Sequence, residues 1–439
     1  MIVAHTAGLA LLSSLLLALG GCSETAEVLS VSANGGEPSA TAGTASGGSS
    51  SGGATSGGSS SGGTTSGGSS SGGAQPEDPD LGVFVDAGDS HSCATRFGLL
   101  YCWGENAKGR LGLGDEDNRV TPARVGSDAD WIAVATGVAH TCALKSDGTV
   151  WCFGDNTFGQ LGQGTLVAST LPQPVVLPGK VRHLSAEANT ACAVLEDGSL
   201  YCWGRNWEGN IGLDDEHPGA DQPWPIRSGS DTDWSVSGTG DGHTCGIRGA
   251  GLLFCWGRNS AANLGLGQTV DLQRRVATQV GAEQDWSSVV SGQDASCGIR
   301  GGGLLFCWGG NSFATLGLGD RDARLSPSEL SPPGGAAAWS QVSLDTFHAC
   351  GVDTASKLYC WGRNLEGQLG TADNDDRLVP GEVVAGGDSA QVAQVAVGRF
   401  SSCAATTDGR VYCSGENGAG QLGVGDSARR NTFTQVALP

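Results

Sequence analysis

The chain has 439 residues, with 45 Asp and Glu against 24 Lys and Arg, a net charge of −21, 74 glycines and 15 cysteines. Six of the acids and none of the bases fall in residues 1–80, which leaves 39 acids and 24 bases beyond, about −15. No Lys/Arg cluster is present to neutralise phosphates, so this balance argues against DNA, RNA and anionic membrane surfaces as partners.

In chain order, residues 7–21 come first, an apolar, Leu-rich run too short to span a bilayer with ease. It reads as a signal-peptide core, and residues 1–21 as a cleaved leader. The run ends in Leu19-Gly20-Gly21-Cys22, which resembles the lipobox of bacterial lipoproteins, where the cysteine is lipidated and becomes the mature N-terminus. It departs from that pattern in having only His5, and no Lys or Arg, ahead of the apolar core. Ser23 follows the cysteine, as in lipoproteins that leave the inner membrane, so the expected address is the outer membrane or cell surface. The alternative is an ordinary secretory signal with an incidental cysteine. Residues 22–80 form a tether. Ser-Gly-Gly-Ser-Ser-Ser-Gly-Gly recurs at Ser46, Ser56 and Ser66 and has nothing to bury. Some 45 residues of such coil reach roughly 35–40 Å.

From Leu81 to the end, one pattern recurs seven times. Its second cysteine falls at Cys102, Cys152, Cys202, Cys255, Cys307, Cys360 and Cys413, a spacing of 50 to 53 residues. Short strands repeating at that length predict a ring of β-blades over residues 81–439. Each copy opens with a strand such as Trp131-Ile-Ala-Val-Ala-Thr. Trp131, Trp234, Trp286 and Trp339 lie eleven residues before the first cysteine of their pair, a shared register that predicts packing between blades rather than an exposed stripe.

A cysteine hairpin follows. Cys142 and Cys152 are symmetric about Asp147, and a Ser146-Asp147-Gly148 loop sets them opposite each other at a non-hydrogen-bonded site, where side chains are closest. Cys93 and Cys102 are one residue closer, and a two-residue Phe97-Gly98 turn restores the same pairing. Seven disulfides are therefore expected: Cys93–Cys102, Cys142–Cys152, Cys192–Cys202, Cys245–Cys255, Cys297–Cys307, Cys350–Cys360 and Cys403–Cys413. Zinc would need four converging ligands, which two cysteines per hairpin do not supply. The fifteenth cysteine is Cys22.

After each hairpin stands Gly-x-Asn, with the asparagines at Asn106, Asn156, Asn206, Asn259, Asn311, Asn364 and Asn417, and then an apolar-Gly pair such as Leu161-Gly162. A residue present in every blade is structural, and no Lys follows as in a phosphate loop. Trp-Gly-x-Asn-x-x-Gly-x-Leu-Gly, with His-x-Cys-Ala-Leu and Asp-Gly-x-x-Tyr-Cys ahead of it, resembles the repeat of the regulator of chromosome condensation family. The resemblance covers about residues 81–439 and implies an all-β, seven-bladed propeller. Phe153 and Ser414 depart from it by replacing the Trp. The family's founder exchanges nucleotide on a GTPase and binds chromatin, and an exported chain meets neither. Exported propellers of this type imply protein binding by one face of the ring.

His91, His140, His243 and His348 share one repeat slot and are read as hydrogen-bonded structural residues, not catalysts. The acidic runs Asp115-Glu116-Asp117, Asp214-Asp215-Glu216 and Asp373-Asn374-Asp375-Asp376 do not match a calcium loop and are read as solvated. Function is sought in what does not repeat: Phe158, Trp207, Trp224 and Phe313 are the candidate partner-binding residues. The expected protein is a monomeric, lipid-anchored binder of a protein or extracellular polymer, with no cofactor, metal or nucleic acid. The competing readings are an envelope enzyme with its site at the propeller mouth, and a spacer without a ligand.

Overall fold

The computed structural model describes residues 83–213, 219–269, 271–335, 338–387 and 390–439. The leader, Cys22, the tether and the run Asp214-Asp215-Glu216 lie outside the described residues. Seven four-stranded antiparallel sheets follow one another. Blade 1 spans residues 83–124, blade 2 131–174, blade 3 181–227, blade 4 234–279, blade 5 286–330, blade 6 339–383 and blade 7 392–436. Within each, sheet order is chain order, so every blade is a meander. In blade 1 the strands are Val83–Ala87, His91–Arg96, Leu99–Gly104 and Arg119–Arg124. The first strands of successive blades touch, and that of blade 7 touches that of blade 1. They form the inner wall of a closed seven-bladed propeller. Blades 1 and 7 exchange no strand.

Composition follows position. The outer strands carry Pro122, Pro172, Pro225, Pro327 and Pro380 at one equivalent site, where a missing N–H breaks no ladder towards a further strand. The central hairpins carry the cysteines in register: Cys142 faces Cys152 and Ala143 faces Trp151. The shorter first hairpin sets Cys93 opposite Cys102 and turns on Phe97 and Gly98, both at positive φ. All seven pairs are bonded, with Cα atoms 4.1 Å apart. That separation is close to the spacing of a non-hydrogen-bonded pair.

The core lies between blades. Trp339 packs among Val290, Leu305 and Leu316 of blade 5, and Trp234 among Val194, Leu200 and Ile211 of blade 3. A second tryptophan tier ties five of the blades to their predecessors. Trp203 donates its indole N–H to the Gln160 carbonyl at 2.9 Å, and Trp256, Trp308, Trp361 and Trp103 make the same bond to Asn210, Asn263, Thr315 and Gln421. In blade 7 the hydroxyl of Ser414 makes it instead, to the Gln368 carbonyl at 3.2 Å. The ring volume is not lost. Phe433 takes the place of the outer-strand proline, and its ring lies over Gly370 as Trp361 lies over Gly317. Each repeated asparagine is buried and links its loop to itself: Asn106 Oδ1 accepts from Leu111 N at 2.9 Å and its amide donates to the Asp115 carbonyl at 2.9 Å.

Candidate functional site: the loop end of the propeller

The two ends of the ring differ. At one end, the corner between the first two strands meets the long loop after the third. The loop's first N–H bonds the corner carbonyl in all seven blades, from Glu105 to Ser90, Arg363 to Phe347 and Glu416 to Phe400 in blades 1, 6 and 7. At the other end the cysteine hairpins turn and the blades connect, as in the bond from Trp131 N to the Gly98 carbonyl.

The corners close around the central axis. Gly88, Gly137, Gly240, Gly292 and Gly398 occupy one slot. A Cβ on Gly398 would stand 2.2 Å from the Gly88 carbonyl oxygen, and one on Gly240 2.3 Å from that of Gly292. Backbones are in contact at those two positions, so glycine is required at them. Blades 3 and 6 place Glu187 and Asp345 in this slot. Asp345 is buried, and burial together with the Asp89 carboxylate pushes its pKa up to about 7. Asp89 is itself raised by burial and by Asp241, against the pull of Arg399. Carboxylates of blades 1, 4 and 6 thus share one electrostatic neighbourhood at the throat. Arginines bridge adjacent blades around it: Arg205 to Asp241 at 3.4 Å, Arg258 to Asp294 at 2.9 Å and Arg399 to Asp89 at 3.1 Å. Each pair is partly exposed and worth little alone.

Aromatic rings stand beside these arginines in two clusters. Phe313 meets Phe347 edge-on at 4.8 Å, and Phe347 stacks on Phe400 at 5.0 Å. The Arg363 guanidinium lies 4.7 Å above Phe347, and Arg399 lies 5.6 Å from Phe400. All three rings are half-buried. Across blades 2 and 3, Phe158 meets Trp207 edge-on at 5.4 Å, and Arg205 lies 4.6 Å over the Trp207 ring. Trp224 sits on an outer strand with its ring over Gly164, where any side chain would collide with it.

The four residues singled out by sequence therefore divide. Phe158 and Trp207 touch, Trp224 flanks them across the blade 2 loop, and Phe313 belongs to the other cluster. Sequence reading missed Phe347, Phe400 and their arginines. The slot before the repeat histidine shows them in hindsight: it holds Ser90, Ala139, Asn189, Gly242 and Asp294 in five blades, then Phe347 and Phe400.

The histidines are buried and neutral. His91 Nε2 bonds Thr141 Oγ1 at 2.9 Å, while that hydroxyl donates to the Arg110 carbonyl, so the imidazole is the donor. His243 and His348 reach Ser296 and Ser402 at 2.7 Å. The expectation that all four are hydrogen-bonded fails at His140. Neither of its ring nitrogens has a partner among the described residues, because Ala191 stands where the other blades supply a hydroxyl. Burial holds its pKa down at about 4.

The acidic loops are paired within themselves. Asp115 accepts from Asn106, Asp117 N and Arg119, and Asp373 repeats this with Asn364, Asp375 N and Arg377. Among the described residues no group of three or more His, Cys, Asp or Glu is arranged to hold a metal. At the hairpin end the rings already carry the chain's own cations. Lys145 lies 4.8 Å over Trp131 and 5.1 Å over Trp151, and Arg300 lies 5.6 Å over Trp286.

Comparison with known proteins matches two models of the regulator of chromosome condensation (RCC1) repeat, one at residues 98–144, 147–194 and 356–405 and one at 131–160, 181–209 and 392–421. The ultraviolet-B receptor UVR8 of Arabidopsis thaliana is 31% identical over 360 residues, 81% of this chain and 70% of its own length. The probable E3 ubiquitin-protein ligase HERC4 of Mus musculus is 31% identical over 223 residues, 48% of this chain but 20% of its own. The structure of Prp20p from Saccharomyces cerevisiae, described with its binding properties to Gsp1p and histones, superposes with a TM-score of 0.68 at 20% identity, over 82% of this chain and 88% of Prp20p. That likeness is one of fold.

Proposed function

Because the chain belongs to the regulator of chromosome condensation (RCC1) repeat family, we propose that it is a binding protein: a propeller that captures a protein partner on its loop end. Prp20p, of the same fold, binds Gsp1p and histones, and UVR8 is a receptor. Fold alone gives no partner, so the reading rests on the site. Its carrying observation is the cluster of Phe313, Phe347 and Phe400 with Arg363 and Arg399, set where five blades have small or polar corners. Half-exposed aromatic rings and arginines are the groups on which binding energy concentrates. Here they stand on rigid corners, which lowers the ordering required on association. Among the described residues no catalytic constellation competes: each repeat-slot histidine is buried, and three of them are occupied by hydroxyls.

The partner is sought in the envelope. The lipobox-like Leu19–Cys22 and the Gly/Ser tether support a lipid-anchored protein whose ring stands off a membrane. Nucleic acid is a poor fit to the acidic charge.

Cross-linking of the full chain in its own envelope, followed by mass spectrometry, tests this. A captured protein that is lost from a Phe347→Ser/Phe400→Ser variant, with folding intact by thermal melt, supports it. Capture that survives these changes and fails on a hairpin-end change such as Lys145→Glu would sink it. Substrate turnover without stoichiometric capture would favour the enzyme reading. For the anchor, Cys22→Ala should shift the protein from membrane to soluble fractions, and an unchanged distribution would refute lipidation there.

A further inference from the structure

Trp207 and Trp224 stand apart from the other ten tryptophans, all buried or half-buried. They are 53% and 55% exposed, and the remaining exposed aromatic ring, Phe97, is on a hairpin turn at the opposite end. Each indole is held by its neighbours and about half exposed. Trp224 fills the side-chain position that Gly164 leaves vacant. Trp207 is covered by Arg205 at 4.6 Å and braced by the edge of Phe158 at 5.4 Å. Phe158 is fixed in turn: its N–H donates to Gln160 Oε1 at 2.9 Å, and the next residue, Gly159, packs on Pro223 beside Trp224. Leu166 and Val167, on the loop that carries Gly164, are exposed too. A preformed apolar surface therefore lies along the seam between blades 2 and 3.

A carboxylate without an ion-pair partner among the described residues stands beside it. Glu208 follows Trp207 and lines a cleft of about 580 Å³ with Arg258, Ser260, Asp271, Leu272 and Gln273. The other charged groups in that cleft are spoken for: Arg258 pairs with Asp294 and Asp271 with Arg274. Glu208 makes no ion pair among the described residues.

We propose that this seam docks one segment of a protein partner, an apolar or aromatic side chain seated on Trp224, Phe158 and Trp207, with a Lys or Arg a few residues away reaching Glu208. The inference rests on the reading that the loop end binds protein and names the chemistry it selects. A glycan stacking on both indoles would need hydrogen-bonding groups at each, whereas Trp224 lies against the Gly164 loop, which also carries the exposed Leu166 and Val167, and follows Pro223. An acidic segment would meet the unpaired Glu208 and an acidic domain.

A displayed library of random dodecapeptides, selected on the full chain, tests this directly. Enriched peptides should pair an apolar or aromatic residue with a nearby Lys or Arg. A Trp207→Ala/Trp224→Ala variant should retain them about tenfold less well, the loss of roughly one hot-spot contact. Both side chains are exposed, so the melting temperature should not move. Glu208→Lys should reverse the preferred flanking charge. Peptides retained by the double Trp variant and lost by Phe347→Ser/Phe400→Ser would overturn the seam while leaving loop-end binding in place. No peptide enrichment, with neutral glycan oligomers quenching the tryptophan fluorescence, would overturn both. An unchanged flank after Glu208→Lys would remove the basic residue from the proposal.

Discussion

His140 shows how a repeat can be read correctly and still mislead. Its register predicted a hydrogen bond, yet that bond depends on residue 191 of the next blade, where Ala replaces Ser or Thr. Ala191→Ser should supply the missing acceptor and raise stability by about 0.5–1.5 kcal/mol in urea melts, and Thr141→Ala should lower it by orphaning His91. The buried imidazoles also fix a pH dependence. His140 and His183 are depressed to about 4, and His243 and His348 to about 3, all chiefly by burial. The unfolded chain binds more protons than the folded one between those values and the ordinary 6.5, so their stabilisation is full above pH 6.5 and is lost as pH falls through about 4 and then about 3. Asp345 acts with opposite sign. Its pKa of about 7 lies above the unfolded value, so its ionisation opposes folding increasingly from pH 4 to 7. Asp345→Asn should accordingly gain stability over the parent across that range and hold the gain above pH 7. Equal pH profiles for the two proteins would refute the assignment. Nothing at residue 345 in the sequence announces this, because the carboxylate's burial comes from corners of other blades.

Strands and hairpins were far more legible. The cysteine spacing gave the ladder register, since a two-residue and a three-residue turn both return the sulfurs to the same face. The Gly-x-Asn run gave the loops, since their bonds are local. What escaped was coupling between elements. Ser414 reads as simple drift from tryptophan, but the outer strand of the same blade compensates with Phe433 in place of proline. Phe433→Pro alone should open a cavity and cost about 3 kcal/mol. Ser414→Trp alone should overpack the same space. The double change restores the pair used by blades 1, 3, 5 and 6 and should recover at least 1 kcal/mol of the summed losses. Additive losses in that cycle would separate the two residues. Each disulfide closes a loop of about ten residues, for which chain entropy allows at most about 3 kcal/mol. Cys297→Ala/Cys307→Ala should lose no more than that in denaturant midpoint experiments.

At the scale of the whole ring, among the described residues no disulfide and no shared strand joins the ends. Closure rests on side chains acting as backbone. Gln394 of blade 7 accepts from Val85 N and donates to the Val85 carbonyl, both at 2.8 Å, and Gln341 does the same to Val395 at 3.0 and 3.1 Å. Val85, Tyr101 and Trp103 then pack with Ala396, Val411 and Val436 across the join. Gln394→Ala leaves the Val85 amide buried without a partner and should lower global stability by about 1–3 kcal/mol. Hydrogen exchange at Val85 should rise with it, and unchanged protection there would show the seam to be held by packing alone. Seven-fold symmetry was plain in the sequence, but the join was not, since a glutamine shared by only two of the seven blades, Gln341 and Gln394, does not stand out as a repeat feature. Because each blade holds both of its own cysteines, the order of manufacture can guide their pairing. A chain threaded through a membrane N-terminus first would expose Cys93 and Cys102 together before Cys142 emerges, and so on pair by pair. With Cys22 capped by lipid, an oxidant that simply joins each remaining cysteine to the last one delivered would make every bridge correctly. Such a chain would need no disulfide isomerase, and its blades could be stapled while the ring is still open.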